Sequence, residues 1–361
     1  MKAYIILEDG HIFCGERFGA KKDVVGELVF TTGMGGYIET LTDPSYYGQI
    51  VIQTFPLIGN YGMIPEDKES AGPALFGYIV RDLCDYPSNF RCESTLGEYL
   101  KECGIPGICG VDTRELTRII REHGVMNAKI VSEIPADKPA ELLSYTVHDA
   151  VKSVSCTENY TVPAVGEKKF SVALLDLGAK ENIARELSKR GCEVTVFPHD
   201  TDADTLCGYD GIMLSNGPGD PAENTEVINN IKNIIGRKPV FGICLGHQLL
   251  ALASGAKTDK LKYGHRGVNQ PVRSMESGRV FISSQNHGYA VISDSLPKGA
   301  HVSFENANDG TCEDAIDRAE DRELFKETML SLGQPVIPSD IATDIDTALK
   351  IAEKIGFPVI I

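Results

Sequence analysis

The sequence predicts an α/β protein. A β-rich α/β N-terminal part precedes a doubly wound, mostly parallel sheet. Three observations carry this. Up to about residue 150 the chain is rich in Gly, Thr and Tyr, with short β-like runs such as Ile50-Val51-Ile52-Gln53. From about residue 170 strand-like and helix-like runs alternate at βαβ spacing. After Asp309-Gly310-Thr311-Cys312 the character changes, and the chain reads as though a different protein had been joined on.

The elements follow in order. A helix is expected after Val111, with Asp112 or Thr113 as its cap and Leu116, Ile119 and Ile120 as its apolar side. A polar stretch near 153–169 reads as a linker. Val172-Ala173-Leu174-Leu175-Asp176 is a buried strand, 181–190 an amphipathic helix stopped by Gly191, and 193–197 the next strand. A strand at 211–215, a helix near 223–235 and a short strand into Cys244 complete the alternation. Ligands bind at the carboxyl ends of strands in such sheets, which is where Asn216-Gly217-Pro218-Gly219-Asp220-Pro221 and Cys244 both fall. Farther on, 314–330 reads as a charged helix, 335–337 as a strand and 343–354 as a second helix. The last residues, Phe357-Pro358-Val359-Ile360-Ile361, look like a strand cut part-way through a domain.

Composition narrows the partners. The 361 residues carry a formal net charge of -16, with no basic stripe, which argues against nucleic acid and anionic membrane. The N-terminal apolar run is too short for a signal peptide, and no run approaches a membrane span. Ten cysteines are scattered without C-x-x-C pairs, which fits thiols in a reducing cytoplasm and offers no metal-ligand spacing.

Residues 239–253 hold the sharpest signal. A short apolar strand enters Gly242-Ile243-Cys244-Leu245-Gly246 and a helix-forming run follows. This is the strand–elbow–helix layout that lifts a nucleophile on a tight turn. The helix N-terminus favours a thiolate. Alone, the pentapeptide fits a buried cysteine after a strand somewhat better than a nucleophile. His247, in the first turn of the helix, reads as structural. Two further segments bear on Cys244: the Gly-rich turn at 216–221, and Ser284-Gln285-Asn286-His287-Gly288-Tyr289, where Asn286 offers amide hydrogen bonds and Gly288 a close backbone approach.

Together these segments resemble a class I glutamine amidotransferase. The stretches 32–50, 255–257 and 262–272 narrow the resemblance to the small subunit of carbamoyl-phosphate synthase. The implied domains are a small-subunit N-terminal domain (1–152), a linker (153–169), an amidotransferase domain truncated at its end (170–312), and a fragment resembling the start of the large subunit's ATP-grasp module (313–361). The resemblance makes Cys244 the nucleophile that attacks the glutamine side-chain amide. It places glutamine against Ser45, Gly217, Gly219, Leu245, Gln248, Asn286, Gly288 and Tyr289, and an oxyanion hole at backbone N–H groups near Leu245 and Gly219.

The family's base and orienting carboxylate come from a His-Pro-Glu motif on a later loop. These 361 residues contain no such motif, and His301 is their last histidine. The resemblance therefore implies a cytoplasmic glutaminase subunit for arginine and pyrimidine synthesis whose activity in this chain is weak or absent. Its partner would be a large subunit that uses ATP and Mg; the chain itself is expected to hold no cofactor and no metal. The alternatives are a non-catalytic docking subunit, or another class I amidotransferase, against which the first 150 residues argue.

Overall fold

The computed structural model describes residues 1–137 and 139–316. The N-terminal part runs β1 (Lys2–Leu7), β2 (Ile12–Gly19), β3 (Val24–Thr31), α1 (Tyr37–Leu41), β4 (Gln49–Gln53), β5 (Leu57–Ile58), β6 (Gly77–Ile79), β7 (Asp82–Leu83), α2 (Leu96–Glu102), β8 (Pro106–Cys109), α3 (Thr113–His123), β9 (Met126–Val131) and α4 (Ala140–Ser144). Seven of these strands close a barrel in the order β1-β2-β8-β6-β4-β3-β9, while β5 and β7 pair with each other. The two-residue side-chain period sends alternate residues of β3 and β4 to opposite faces, and both faces are largely buried. Leu28, Phe30, Ile50 and Ile52 enter one core with Leu116, Ile119 and Ile120 of α3. Their neighbours Val29 and Val51 enter a second core with Tyr37, Ile38 and Leu41 of α1 and Leu96 and Leu100 of α2. The α3 cap is Asp112, whose carboxylate accepts from the Glu115 N–H at 3.0 Å.

The second part runs α5 (Ala150–Val154), β10 (Tyr160–Val162), β11 (Phe170–Asp176), α6 (Glu181–Lys189), β12 (Cys192–Pro198), α7 (Ala203–Leu206), β13 (Gly211–Leu214), α8 (Thr225–Ile234), β14 (Val240–Gly242) and α9 (Leu245–Ala253). Its five-stranded sheet has the order β10-β12-β11-β13-β14. β12, β11, β13 and β14 are parallel, and β10 is the antiparallel edge. Leu175, Leu214, Ile231, Ile234, Leu245 and Leu249 fill the core on one face. The stretch read as a linker thus contributes a strand, because the β-branched Thr161 and Val162 pair with Thr195 and Val194 of β12. The helix read as starting near 223 begins at Thr225, since Pro221–Glu223 forms its own tight turn capped by Asp220.

A third unit of strands follows: β15 (Thr258–Ser274), β16 (Val280–Val291), β17 (His301–Asn306) and β18 (Cys312–Ile316). They close a small barrel in the order β15-β16-β18-β17. β18 continues to Ile316, where the sequence was read as helical from 314. The rest of that helix, the strand at 335–337 and the helix at 343–354 lie outside the described residues.

Candidate active site around Cys244

Cys244 stands between β14 and α9 with φ 53° and ψ −106°. A side chain in this region of backbone space is strained by about 1–3 kcal/mol, as in nucleophile elbows. The glycines on either side make the turn possible by close approach. A Cβ on Gly242 would stand 2.5 Å from the Gly246 carbonyl carbon, and one on Gly246 would stand 2.4 Å from the Leu214 carbonyl oxygen. The elbow is pinned to the sheet by the Ile243 N–H on Leu214 O and the Gly246 N–H on Ser215 O, both at 3.0 Å.

Ser45, Gly217, Gly219, Cys244, Gln248, Asn286, Gly288 and Tyr289 line a single cavity of about 380 Å³. Its polar wall includes Glu27, Lys260 and Arg266. Of the residues expected around glutamine, Leu245 is the exception. Its side chain is buried in the sheet core and does not line the cavity. Gln248 is already engaged: its amide donates to Tyr289 O at 2.7 Å, tying α9 to β16.

A network that the sequence reading missed holds these elements together. Asp43 accepts from the Ser45 N–H at 2.9 Å, from Asn286 Nδ2 at 2.9 Å and from Lys180 Nζ at 3.0 Å. Asn216 donates to Ser45 Oγ and accepts from the Lys180 N–H, both at 3.0 Å. The Asp43 carboxylate holds the Lys180 ammonium well above its usual range. Asp43 and Asn216 lie inside stretches that the motif reading singled out, whereas Lys180 had no sequence signal.

The thiol donates to the Asn286 carbonyl at 3.6 Å. Burial, reinforced by the Asp43 charge, pushes it up to about 11. At neutral pH only about 10⁻⁴ of such thiols are ionised. A second cavity, about 470 Å³, also reaches Cys244. It is lined by apolar Ile183, Val272 and Phe304, and by His247, His287 and Glu313. Both ring nitrogens of His287 face other groups: Nδ1 lies 2.8 Å from Tyr289 O and Nε2 lies 3.2 Å from Glu313 Oε2. Glu313 also meets His265 Nδ1 at 3.0 Å. Burial alone would raise the Glu313 carboxyl, but the two histidines bring it down to about 2. His265, Asp309 and Glu313 escaped the sequence reading because β15, β16 and β18 bring them together from positions far apart in the chain.

No helix among the described residues is long and apolar enough to cross a membrane. The family model of the carbamoyl-phosphate synthase small chain, CPSase domain, matches residues 5–130. That of class-I glutamine amidotransferases matches 173–324. Residues 321–361 match a third model, the carbamoyl-phosphate synthase L chain ATP binding domain. The carbamoyl phosphate synthase small chain of Clostridium perfringens is 51% identical over 317 residues, covering 87% of this chain and 89% of that one. The small chain of Bacillus caldolyticus is 50% identical over 322 residues, covering 87% of each. The small chain of Listeria innocua is 51% identical over 302 residues, covering 82% of each. On this identity and coverage, the chain belongs to the carbamoyl-phosphate synthase small chain family.

Proposed function

We propose that this chain binds glutamine in the cavity beside Cys244 and hydrolyses it only slowly. The observation that carries the reading is Cys244 itself, a strained elbow cysteine that faces a polar cavity together with seven of the eight residues expected around glutamine. In the reaction this supports, Sγ attacks the side-chain amide carbon of glutamine. Backbone N–H groups near Leu245 and Gly219 receive the developing oxyanion. Ammonia leaves with a proton, a γ-glutamyl thioester remains, and water cleaves it to glutamate.

The slow rate follows from proton traffic. The thiol must lose a proton to attack, and ammonia must gain one to leave. His-Pro-Glu, which supplies both steps in the family, is absent from the 361 residues, and the thiol is held protonated. Loss of one triad member costs several orders of magnitude. The large subunit is the partner this reading implies, with ATP and Mg acting there; the ATP-binding match at 321–361 supports ATP use by that partner.

The test is glutamate release from glutamine by the purified chain, beside Cys244→Ser and with glutamine binding followed by calorimetry. Measurable binding with turnover barely above the Cys244→Ser background is expected. Robust Cys244-dependent turnover would sink the reading of slow hydrolysis, and absence of binding would sink the assignment of the cavity.

A further inference from the structure

We propose that His265, His287 and Glu313 form a binding site for one divalent transition-metal ion, with zinc as the best fit. Each ligand comes from a different strand of the small barrel: β15, β16 and β18. His265 and His287 are directly opposite across the β15–β16 ladder, just where a register shift bends β15. Their rings stand 5.1 Å apart in an edge-to-face arrangement.

The spacing suits zinc. One ligand atom from each residue lies within 4.8 Å of the other two. Glu313 Oε1 is 3.0 Å from His265 Nδ1, and Oε2 is 3.2 Å from His287 Nε2. With zinc–ligand bonds of about 2.0–2.1 Å, neighbouring ligand atoms of a tetrahedral site stand about 3.3 Å apart. Two histidines and a glutamate are a known zinc donor set, one that leaves a fourth position for water. The cavity of about 470 Å³ that His287 and Glu313 line provides room for it.

The proton positions make the stronger argument. His287 Nδ1 lies 2.8 Å from the Tyr289 carbonyl, which can only accept, so Nδ1 carries the proton. In a neutral ring Nε2 is then a lone pair, and it faces a carboxylate oxygen. That nitrogen is buried and has no aligned hydrogen bond. His265 is engaged on both nitrogens: Nε2 is 2.8 Å from Asp309 Oδ2, and Nδ1 lies 3.0 Å from Glu313 Oε1 and 3.3 Å from Asn306 Nδ2. Two imidazole nitrogens and a carboxylate thus converge on one point, where a dication would take the place of the protons that otherwise hold the rings to Glu313. A single dication satisfies all three. The outer contacts with Asp309 and the Tyr289 carbonyl are those that orient metal-bound histidines, and Asn306 Nδ2 steadies Glu313 at 3.1 Å.

The experiment uses the full chain, freed of metal and titrated with Zn²⁺ by calorimetry and with Co²⁺ by visible absorption at pH 7.5. One tight site per chain is expected, with Co²⁺ d–d bands of a nitrogen/oxygen site. His265→Gln and His287→Gln should each weaken binding at least ~100-fold, as should the isosteric Glu313→Gln, while Cys244→Ser leaves it intact. Metal-free melting curves establish that each variant is folded. Absence of stoichiometric binding would overturn the proposal and leave protons as the charge that holds the cluster. Binding that survives both histidine substitutions, or that is lost with Cys244, would overturn it by moving the metal elsewhere.

Discussion

On one side of Cys244 the cavity is walled by polar groups held in place from several elements: Ser45 from the N-terminal part, Gly217 and Gly219 from the turn after β13, Asn286 and Tyr289 from β16. The other cavity shares Ser45, Gln248, Asn286 and Tyr289 with the first and adds Asp43, Lys180, Ile183, Val272 and Phe304, while its His287 and Glu313 are turned toward each other. The first side gathers seven of the eight residues that the proposed function sets around glutamine. The second does not present a base to the thiol through His287. On the proposed function, substrate recognition and proton transfer are separable, because different segments are assigned to them.

The largest test of that contrast rebuilds the second side. Replacing residues 314–361 with a family segment that carries His-Pro-Glu should raise Cys244-dependent glutamate release by about 10³-fold or more. The affinity for glutamine should change little, since the first cavity is untouched. A folded replacement with no gain in rate would break the comparison, because the missing base would not then be what limits turnover.

A smaller test loosens the anchor of Ser45 and Asn286, which line both cavities. Asp43 is almost completely buried and takes three hydrogen bonds, from Ser45, Asn286 and Lys180. Asp43→Asn keeps the shape but sets an amide against two donors. Breaking a buried pair can cost 3–5 kcal/mol, but water reaches 35% of the Lys180 side chain. A loss of about 1–2 kcal/mol is the discounted expectation, read as a lower urea midpoint. Glutamine binding should weaken as Ser45 and Asn286 lose their common anchor. A variant with unchanged midpoint and unchanged binding would show that this network does not organise the cavity.

The two sides were also unequally legible. The first could be read because its parts are local motifs with backbone reasons: Gly242 and Gly246 must be glycine for the elbow to pack, and the 216–221 turn follows a strand with clear apolar periodicity. Strands β11 and β12 and helices α3 and α6 were legible for the same reason, as burial stamps its period on the sequence. β10 was not, because three residues carry no period and its pairing with β12 is set by tertiary contact. Lys180 and the His265–Glu313–His287 cluster were invisible because they depend on strand register. Nothing local marks residues 48 positions apart, such as His265 and Glu313, as neighbours.

The smallest effect is the pH response of the thiol, which reports how Asp43 and Lys180 treat Cys244. Burial and then the Asp43 charge raise it to about 11, and Lys180 opposes them. Alkylation of Cys244 by iodoacetamide, followed by mass spectrometry of its peptide, should therefore keep accelerating up to about pH 11. An ordinary thiol would level off near its usual value of about 8.5. The sign of each substitution follows. Asp43→Asn removes a charge that disfavours the thiolate, so the profile moves to lower pH and the rate at pH 8 rises roughly 2–10-fold. Lys180→Gln removes a charge that favours it and moves the profile the other way. A wild-type rate already level by pH 9 would mean that something ionises the thiol despite its burial. The second side would then have to be credited with a working base.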